Sequence, residues 1–233
     1  MLTAKKKIAV REAMPQSSVS SFWDRTSTIY TLYGRYILGG LALVVAIGAV
    51  WYITSSGKAE DEITASIQLR KIVTLYQQQQ YKMAITGDPT RGLAGLKDIV
   101  DKYGSTPSGS TAAVYLGNCY LNTDQFDKAA EAFDAASPVD DLTKSNVLAG
   151  KAAAFEGKKQ FAEAAELWEK AARMFSNDLL SAGRFLNAGR CHALAGNKEK
   201  ALTALEKVSE AKTPRYENDV KRLMAQYELE KAE

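Results

Sequence analysis

The sequence predicts an all-α protein: a single transmembrane helix, then an α-solenoid of about three helix pairs, with a further helical pair before them and a capping helix after. Three observations carry this. Tyr36–Gly57 is a run of 22 residues without one charge. Three later segments repeat one pattern of small and large residues at offsets of 35 and 37. The intervening segments show a 3.6-residue apolar period broken by Gly and Pro, and no β-rich stretch.

The chain has 233 residues and a net charge of +3, which hides an asymmetry. Residues 1–35 carry Lys5, Lys6, Lys7, Arg11, Arg25 and Arg35 against Glu12 and Asp24, a net of +4. Residues 58–233 hold the other 24 basic and 25 acidic groups, a net of −1. A basic tail (1–35), an apolar block (36–57) and a near-neutral body are three different physical objects.

As a helix the block 36–57 would span roughly 33 Å, against a hydrocarbon core of about 30 Å. Tyr30, Tyr33 and Tyr36 lie near one end, with Trp51 and Tyr52 at the other, as interfacial aromatics do. The run exceeds a signal-peptide core, and no clear small-residue cleavage site follows, so an uncleaved anchor is expected. The basic excess on its amino side places the tail in the cytoplasm and the body outside. Gly39, Gly40, Ala42, Ala46 and Ala49 offer small surfaces for a neighbouring helix.

Residues 58–109 read as a divergent helical pair. Glu60–Met83 carries Ile63, Ile67, Ile72, Val73, Tyr76 and Met83 on an apolar stripe. Thr86-Gly87-Asp88-Pro89 breaks the chain, and a helix near Thr90–Lys102 follows, burying Leu93, Leu96, Ile99 and Val100.

The repeating segments are 116–136, 151–171 and 188–208. Ala129, Ala164 and Ala201 correspond, as do Phe133, Trp168 and Leu205. In each, a small residue in the first helix (Gly117, Ala152, Gly189) precedes an aromatic three positions on (Tyr120, Phe155, and His192 in the departing third copy). A small residue closes the second helix at Ala136 and Ala171, but Val208 in the third. This resembles a tetratricopeptide repeat array over residues 110–213. The small residues let two helices approach, and the large ones fill the space between repeats. The charge-rich segment 214–233 reads as the terminal cap.

The whole layout is similar to the ancillary Sec-translocon subunit family of bacterial single-span tetratricopeptide proteins. That likeness rests on architecture, on Gly87-Asp88 and on the turn Tyr103-Gly104-Ser105-Thr106. It implies a periplasmic repeat domain on the bacterial inner membrane, with the Sec translocon or envelope chaperones as partners.

Chemistry is sparse. His192 is the one imidazole and sits at a core position, so a packed histidine is expected rather than a ligand. Cys119 and Cys191 share a position two repeats apart, too distant to bridge. Asp140-Asp141 and Asn177-Asp178 stand where helix caps need such side chains. No phosphate loop, dinucleotide fingerprint or HExxH motif occurs. No catalytic residue, metal site or cofactor is expected, nor nucleic-acid binding; Lys5–Lys7 serve topology.

What remains is the exposed face of the first helices. Counted from Ser110, Ser145 and Ala182, its candidates are Val114, Asn118, Leu121, Asn146, Glu156, Leu186, Asn187 and Arg190. Asparagine can hold an extended peptide backbone as donor and acceptor. Val114, Gly150 and Gly183 stand where the chaperone-binding tetratricopeptide subfamily has Lys, Asn and Lys, so its terminal-carboxylate clamp is absent. The expected function is a membrane-anchored scaffold in secretion or envelope-protein assembly; the alternative is a structural subunit of a larger membrane complex.

Overall fold

The computed structural model describes residues 17–175, 179–211 and 214–229; within it the side chains at 17–35, 37, 38, 41 and 50–56 lie outside the described part. The chain divides into two compact units, Met1–Ser56 and Gly57–Glu233.

The first unit is helical from Ser17, within helix α1 (Ser17–Gln77). No proline falls between Pro15 and Pro89, so nothing removes a helical hydrogen bond over that length. Its described side chains are exposed: Leu43, Val44, Val45 and Ile47 each at 60–64%. Among the described residues no helix is long and apolar enough to cross a membrane. The predicted span 36–57 falls partly on positions 37, 38, 41 and 50–56, whose side chains lie outside the described part. The basic tail's charged groups lie outside it as well.

The second unit begins within α1 and continues through α2 (Tyr81–Thr86), β1 (Gly87–Asp88), a 3-10 turn (Pro89–Arg91), β2 (Leu93–Ala94) and α3 (Leu96–Tyr103). Three helix pairs follow: α4 (Pro107–Leu121) with α5 (Phe126–Ala135), α6 (Asp141–Gly157) with α7 (Phe161–Ala172), and α8 (Leu179–Leu194) with α9 (Lys198–Glu210). Helix α10 (Pro214–Gln226) packs on α8 and α9.

Each pair is joined by the same turn. Asp124, Lys159 and Gly196 take left-handed φ values of 56°, 62° and 78°. The next residue, Gln125, Gln160 or Asn197, then donates its N–H to the carbonyl of Tyr120, Phe155 or His192, at 2.9 Å in all three. This is the six-to-one closure that ends a helix on a left-handed residue. The predicted anchor alanines, Ala129, Ala164 and Ala201, lie four residues on, and each has no exposed surface.

The turn also occurs before the repeats. Gln79 sits at φ 59° and Gln80 donates to Leu75 at 2.9 Å. Four residues on stands Ala84, fully buried. The segment ahead of the predicted array is therefore an incomplete repeat, with the end of α1 as its first helix and a shortened α2 as its second. The expected helix Glu60–Met83 accordingly ends at Gln77. Its buried line is Ala65, Leu69, Ile72 and Leu75, while Ile63, Ile67 and Met83 are exposed. Of the expected stripe, Ile72 is buried and Val73 and Tyr76 pack against the core, so it is right toward the end of α1 and wrong at Ile63, Ile67 and Met83.

The expected helix at Thr90–Lys102 starts instead at Leu96. Pro89–Arg91 forms the 3-10 turn, and Gly87↔Ala94 and Asp88↔Leu93 pair as a two-residue antiparallel ladder, a strand element the sequence did not announce. Gly87 (φ 79°) and Gly95 make it possible: a Cβ on Gly95 would lie 2.3 Å from the Ile85 carbonyl oxygen. Leu96 and Ile99 are buried as expected, but Leu93 and Val100 only half so.

Packing between repeats depends on close approach. The tip of the Phe133 ring, 1% exposed, lies against Gly117 of its own repeat and Gly150 of the next. A Cβ at either would fall 2.8 Å or 2.3 Å from the ring. Leu205 meets Gly189 in the same way. Trp168, at the equivalent position, is only half-buried. The carboxylate of Glu62 accepts from Ser108 N at 2.9 Å and Ser108 Oγ at 2.6 Å, tying α1 to the start of α4.

Candidate protein-binding surface

The first helices of the pairs are α4, α6 and α8, and the eight predicted residues all lie on them. Val114 and Leu121 on α4 are half-buried and pack against the core. Asn118, one turn along, is half-buried. Asn146 and Glu156 on α6 are engaged by α8. Arg184 Nη2 donates to Asn146 Oδ1 at 2.7 Å. Arg190 donates from Nη1 to Glu156 Oε1 at 2.6 Å and from Nη2 to Glu156 Oε2 at 2.9 Å. Two predicted ligand residues thus hold each other across one repeat.

Leu186 and Asn187 line a cavity of about 600 Å³, with Ala149 of α6, Trp168 of α7 and Tyr216 of α10. Val114, Ala149 and Leu186 occupy one position in successive repeats; Ala149 was passed over because an alanine carries no pattern of its own. Arg184 was passed over too. It is only 4% exposed and lies with its guanidinium 5.5 Å from the centre of the Phe175 ring. Leu179 and Leu180, at the start of α8, add exposed apolar surface to the rim.

The electrostatics are those of structural pairs. Burial pushes the Glu156 carboxyl up, but the Arg190 guanidinium outweighs it and holds the group below its ordinary value. The same hydrogen bonds raise Arg190. His192, 2% exposed, places Nε2 at 3.0 Å from Glu169 Oε1. Glu169 also binds Arg173. For Glu169 burial acts upward, and its bonds to Arg173 and His192 bring it below its ordinary value. The histidine is a packed, hydrogen-bonded core residue, as its position predicts. Cys119 and Cys191 are both free and buried, in separate parts of the core, with thiols pushed up to about 12 by burial.

Among the described residues no cluster of His, Cys, Asp and Glu has the makings of a metal site. Asp140 caps α6, accepting from Thr143 N and Thr143 Oγ1 at 2.8 Å each. Asn177 and Asp178 lie outside the described residues.

Two sequence profiles described as tetratricopeptide repeat match the chain, over residues 86–140 and 185–211. They fall on the helix pairs joined by the recurring turn. The chain carries tetratricopeptide repeats. Such repeats bind other proteins, and neither match is to a catalytic family. No curated protein and no solved structure matches the chain. The tetratricopeptide matches flank α6 and α7, where the same turn and the buried Ala164 continue the period.

Proposed function

We propose that the chain is a membrane-anchored scaffold that holds an extended segment of a partner protein along its first helices, in secretion or envelope-protein assembly. The observation that carries this is the cavity of about 600 Å³ beside Leu186 and Asn187. It combines an apolar lining with an amide able to donate to and accept from a peptide backbone. Asn118 offers the same chemistry on α4.

Anchoring is supported by the 22 uncharged residues 36–57 and by the exposure of Leu43, Val44, Val45 and Ile47. A continuous uncharged helical surface of that length matches the hydrocarbon core of a bilayer. The +4 tail supports a cytoplasmic amino terminus and an extracytoplasmic repeat domain on a bacterial inner membrane. The likeness in layout to the ancillary Sec-translocon subunits supports the translocon and envelope chaperones as partners.

The test is a pull-down from membranes after crosslinking, comparing wild type with Asn118→Ala/Asn187→Ala. Each lost hydrogen bond costs about 0.5–1.5 kcal/mol, so capture should fall roughly tenfold while the melting temperature holds. Full retention of every partner would remove the first helices as the binding face. Recovery of one fixed, stoichiometric assembly would favour the structural-subunit role. Protease added to spheroplasts should digest the body; a protected body would overturn the topology.

A further inference from the structure

The turn that ends the first helix of each pair also ends α10: Glu228 sits at φ 50° and Leu229 donates to the Met224 carbonyl at 2.9 Å. Aligned on that turn, Arg215 of α10 takes the register of Gly183 on α8 and Asn146 on α6. The face of the first helices therefore continues onto α10. Packing holds it there, because Tyr216 lies in the space that the missing side chain of Gly183 leaves. Its phenol oxygen is 2.6 Å from the place a Cβ on Gly183 would take.

Arg215 lines the cavity of about 600 Å³ beside Leu186 and Asn187, together with Trp168, Leu179 and Leu180. It is exposed, and its guanidinium lies 5.8 Å from the centre of the Tyr216 ring. No described carboxylate pairs with it. Those of α10 are taken, Glu217 by Lys221 at 2.9 Å and Asp219 by Arg222 at 2.8 Å. The other cation of the lining, Arg184, is held by Asn146 and the Phe175 ring. Among the described residues no carboxylate lines the cavity. An apolar wall thus stands beside a guanidinium without a fixed counter-charge. A guanidinium is weakly hydrated and its fork matches a carboxylate, so the complement is an acidic group next to a large apolar one.

Resting on the reading that the first helices hold an extended segment, we propose that this cavity selects a segment with an acidic side chain two positions from a large apolar one, and that Arg215 meets the carboxylate. The spacing follows from extended backbone, in which residues two apart point to the same side. The apolar residue lies on Trp168, Leu179 and Leu180. Asn187 holds the backbone of any such segment, whereas Arg215, on the capping helix, decides which sequence is kept.

The experiment selects a random peptide library, displayed on phage, on the full chain in detergent, with empty micelles as the blank. Enriched sequences should carry Asp or Glu two positions from Phe, Leu, Ile or Trp. The best is made with both ends blocked, once as selected and once with its acid changed to the amide, and titrated by fluorescence anisotropy. The acidic form should bind at least roughly fivefold more tightly and weaken with salt. Arg215→Gln, an exposed change, should bind the two forms equally. Asn187→Ala should weaken both alike and leave their ratio unchanged. Circular dichroism checks that each variant is folded. Peptides that bind through Asn187 with no acid enriched, or an acidic preference that survives Arg215→Gln, would overturn this proposal and leave the binding face standing. Selection of no peptide, or binding indifferent to Asn187→Ala and Arg215→Gln alike, would overturn the binding face and the proposal together.

Discussion

Arg190 of α8 and Glu156 of α6 form a two-point ion pair, at 2.6 and 2.9 Å, that ties consecutive repeats across their first helices. Both are partly shielded, with side chains 33% and 24% exposed. The fork of a guanidinium matches a carboxylate at two points, so the pair fixes the angle between helices as well as their distance. Arg184 and Asn146 make a second tie between the same two helices.

Arg190→Ala should therefore lower stability, by about 1–2 kcal/mol, because a half-buried carboxylate loses its partner. Glu156→Gln/Arg190→Ala should cost less than the two single changes summed, and the shortfall measures the pairing. Glu156 titrates below its ordinary value in the folded state. A depressed carboxylate contributes fully above its unfolded value and loses that contribution as pH falls through the folded one. Urea unfolding of wild type and Arg190→Ala should thus converge only in acid, once pH has fallen through the lowered folded value of Glu156. A difference between them that persists there would mean that Arg190 acts by packing.

Gly150→Ala should destabilise, reversing the usual gain of about 1 kcal/mol for this change within a helix. The new Cβ would lie 2.3 Å from the Phe133 ring, which Gly117 confines from its own repeat. Overpacking of this kind costs about 1–3 kcal/mol. Phe133→Leu in the Gly150→Ala background should recover part of the loss. A neutral Gly150→Ala in thermal unfolding would show that the ring moves freely.

These contacts explain how much of the fold could be read in advance. Close approach at Gly117 and Gly189, and filling at Phe133 and Leu205, constrain residue type and so appear as a period in the sequence. The incomplete repeat was hidden because its second helix is cut at Gly87, and Asp88 falls where the large residue should be. Only Ala84 and the turn at Gln79-Gln80 remained, and a left-handed glutamine leaves no mark in composition. In the candidate surface, position placed Glu156 and Arg190 on the right face. Their opposite charges at a spacing of one repeat were the available sign that they pair. Arg184, buried against Phe175, reads in sequence as an ordinary surface arginine.

Phe133→Ala should cost more than Trp168→Ala, although tryptophan is the larger side chain. Phe133 is 1% exposed, and truncation of a buried aromatic costs about 3–5 kcal/mol. Trp168 is half-buried and lines the cavity beside Leu186, so part of its contact is with solvent. About 2 kcal/mol is expected for Trp168→Ala on the same scale. Denaturant unfolding of residues 57–233 orders the two, and the reverse order would place the heart of the array at Trp168.

Alkylation should find both thiols protected in the folded chain. Burial pushes Cys119 and Cys191 up to about 12, so neither supplies thiolate at neutral pH. Unfolding without reductant should expose two reactive groups per chain. Recovery of none would mean a disulfide, which the positions of the two residues in separate core clusters exclude.

The recurring turn gives opposite signs at equivalent positions. Lys159 holds φ at 62°, where a residue with a Cβ is disfavoured by about 1–2 kcal/mol, whereas Gly196 occupies the same place at 78° without that cost. Lys159→Gly should then raise stability slightly. Relief of the left-handed conformation is offset by the greater freedom of glycine in the unfolded chain, leaving a gain of about 0.5 kcal/mol. Gly196→Ala should lower stability by about 1 kcal/mol. No atom lies within 4 Å of the added Cβ, so the loss would be conformational and not steric. The Gln160 and Asn197 amides keep their 2.9 Å bonds to Phe155 and His192 in either variant, since the turn geometry is unchanged. Paired thermal melts decide it: a stabilising Gly196→Ala, or a Lys159→Gly that loses more than about 1 kcal/mol, would show that the turn is held by its side chains and not by its backbone.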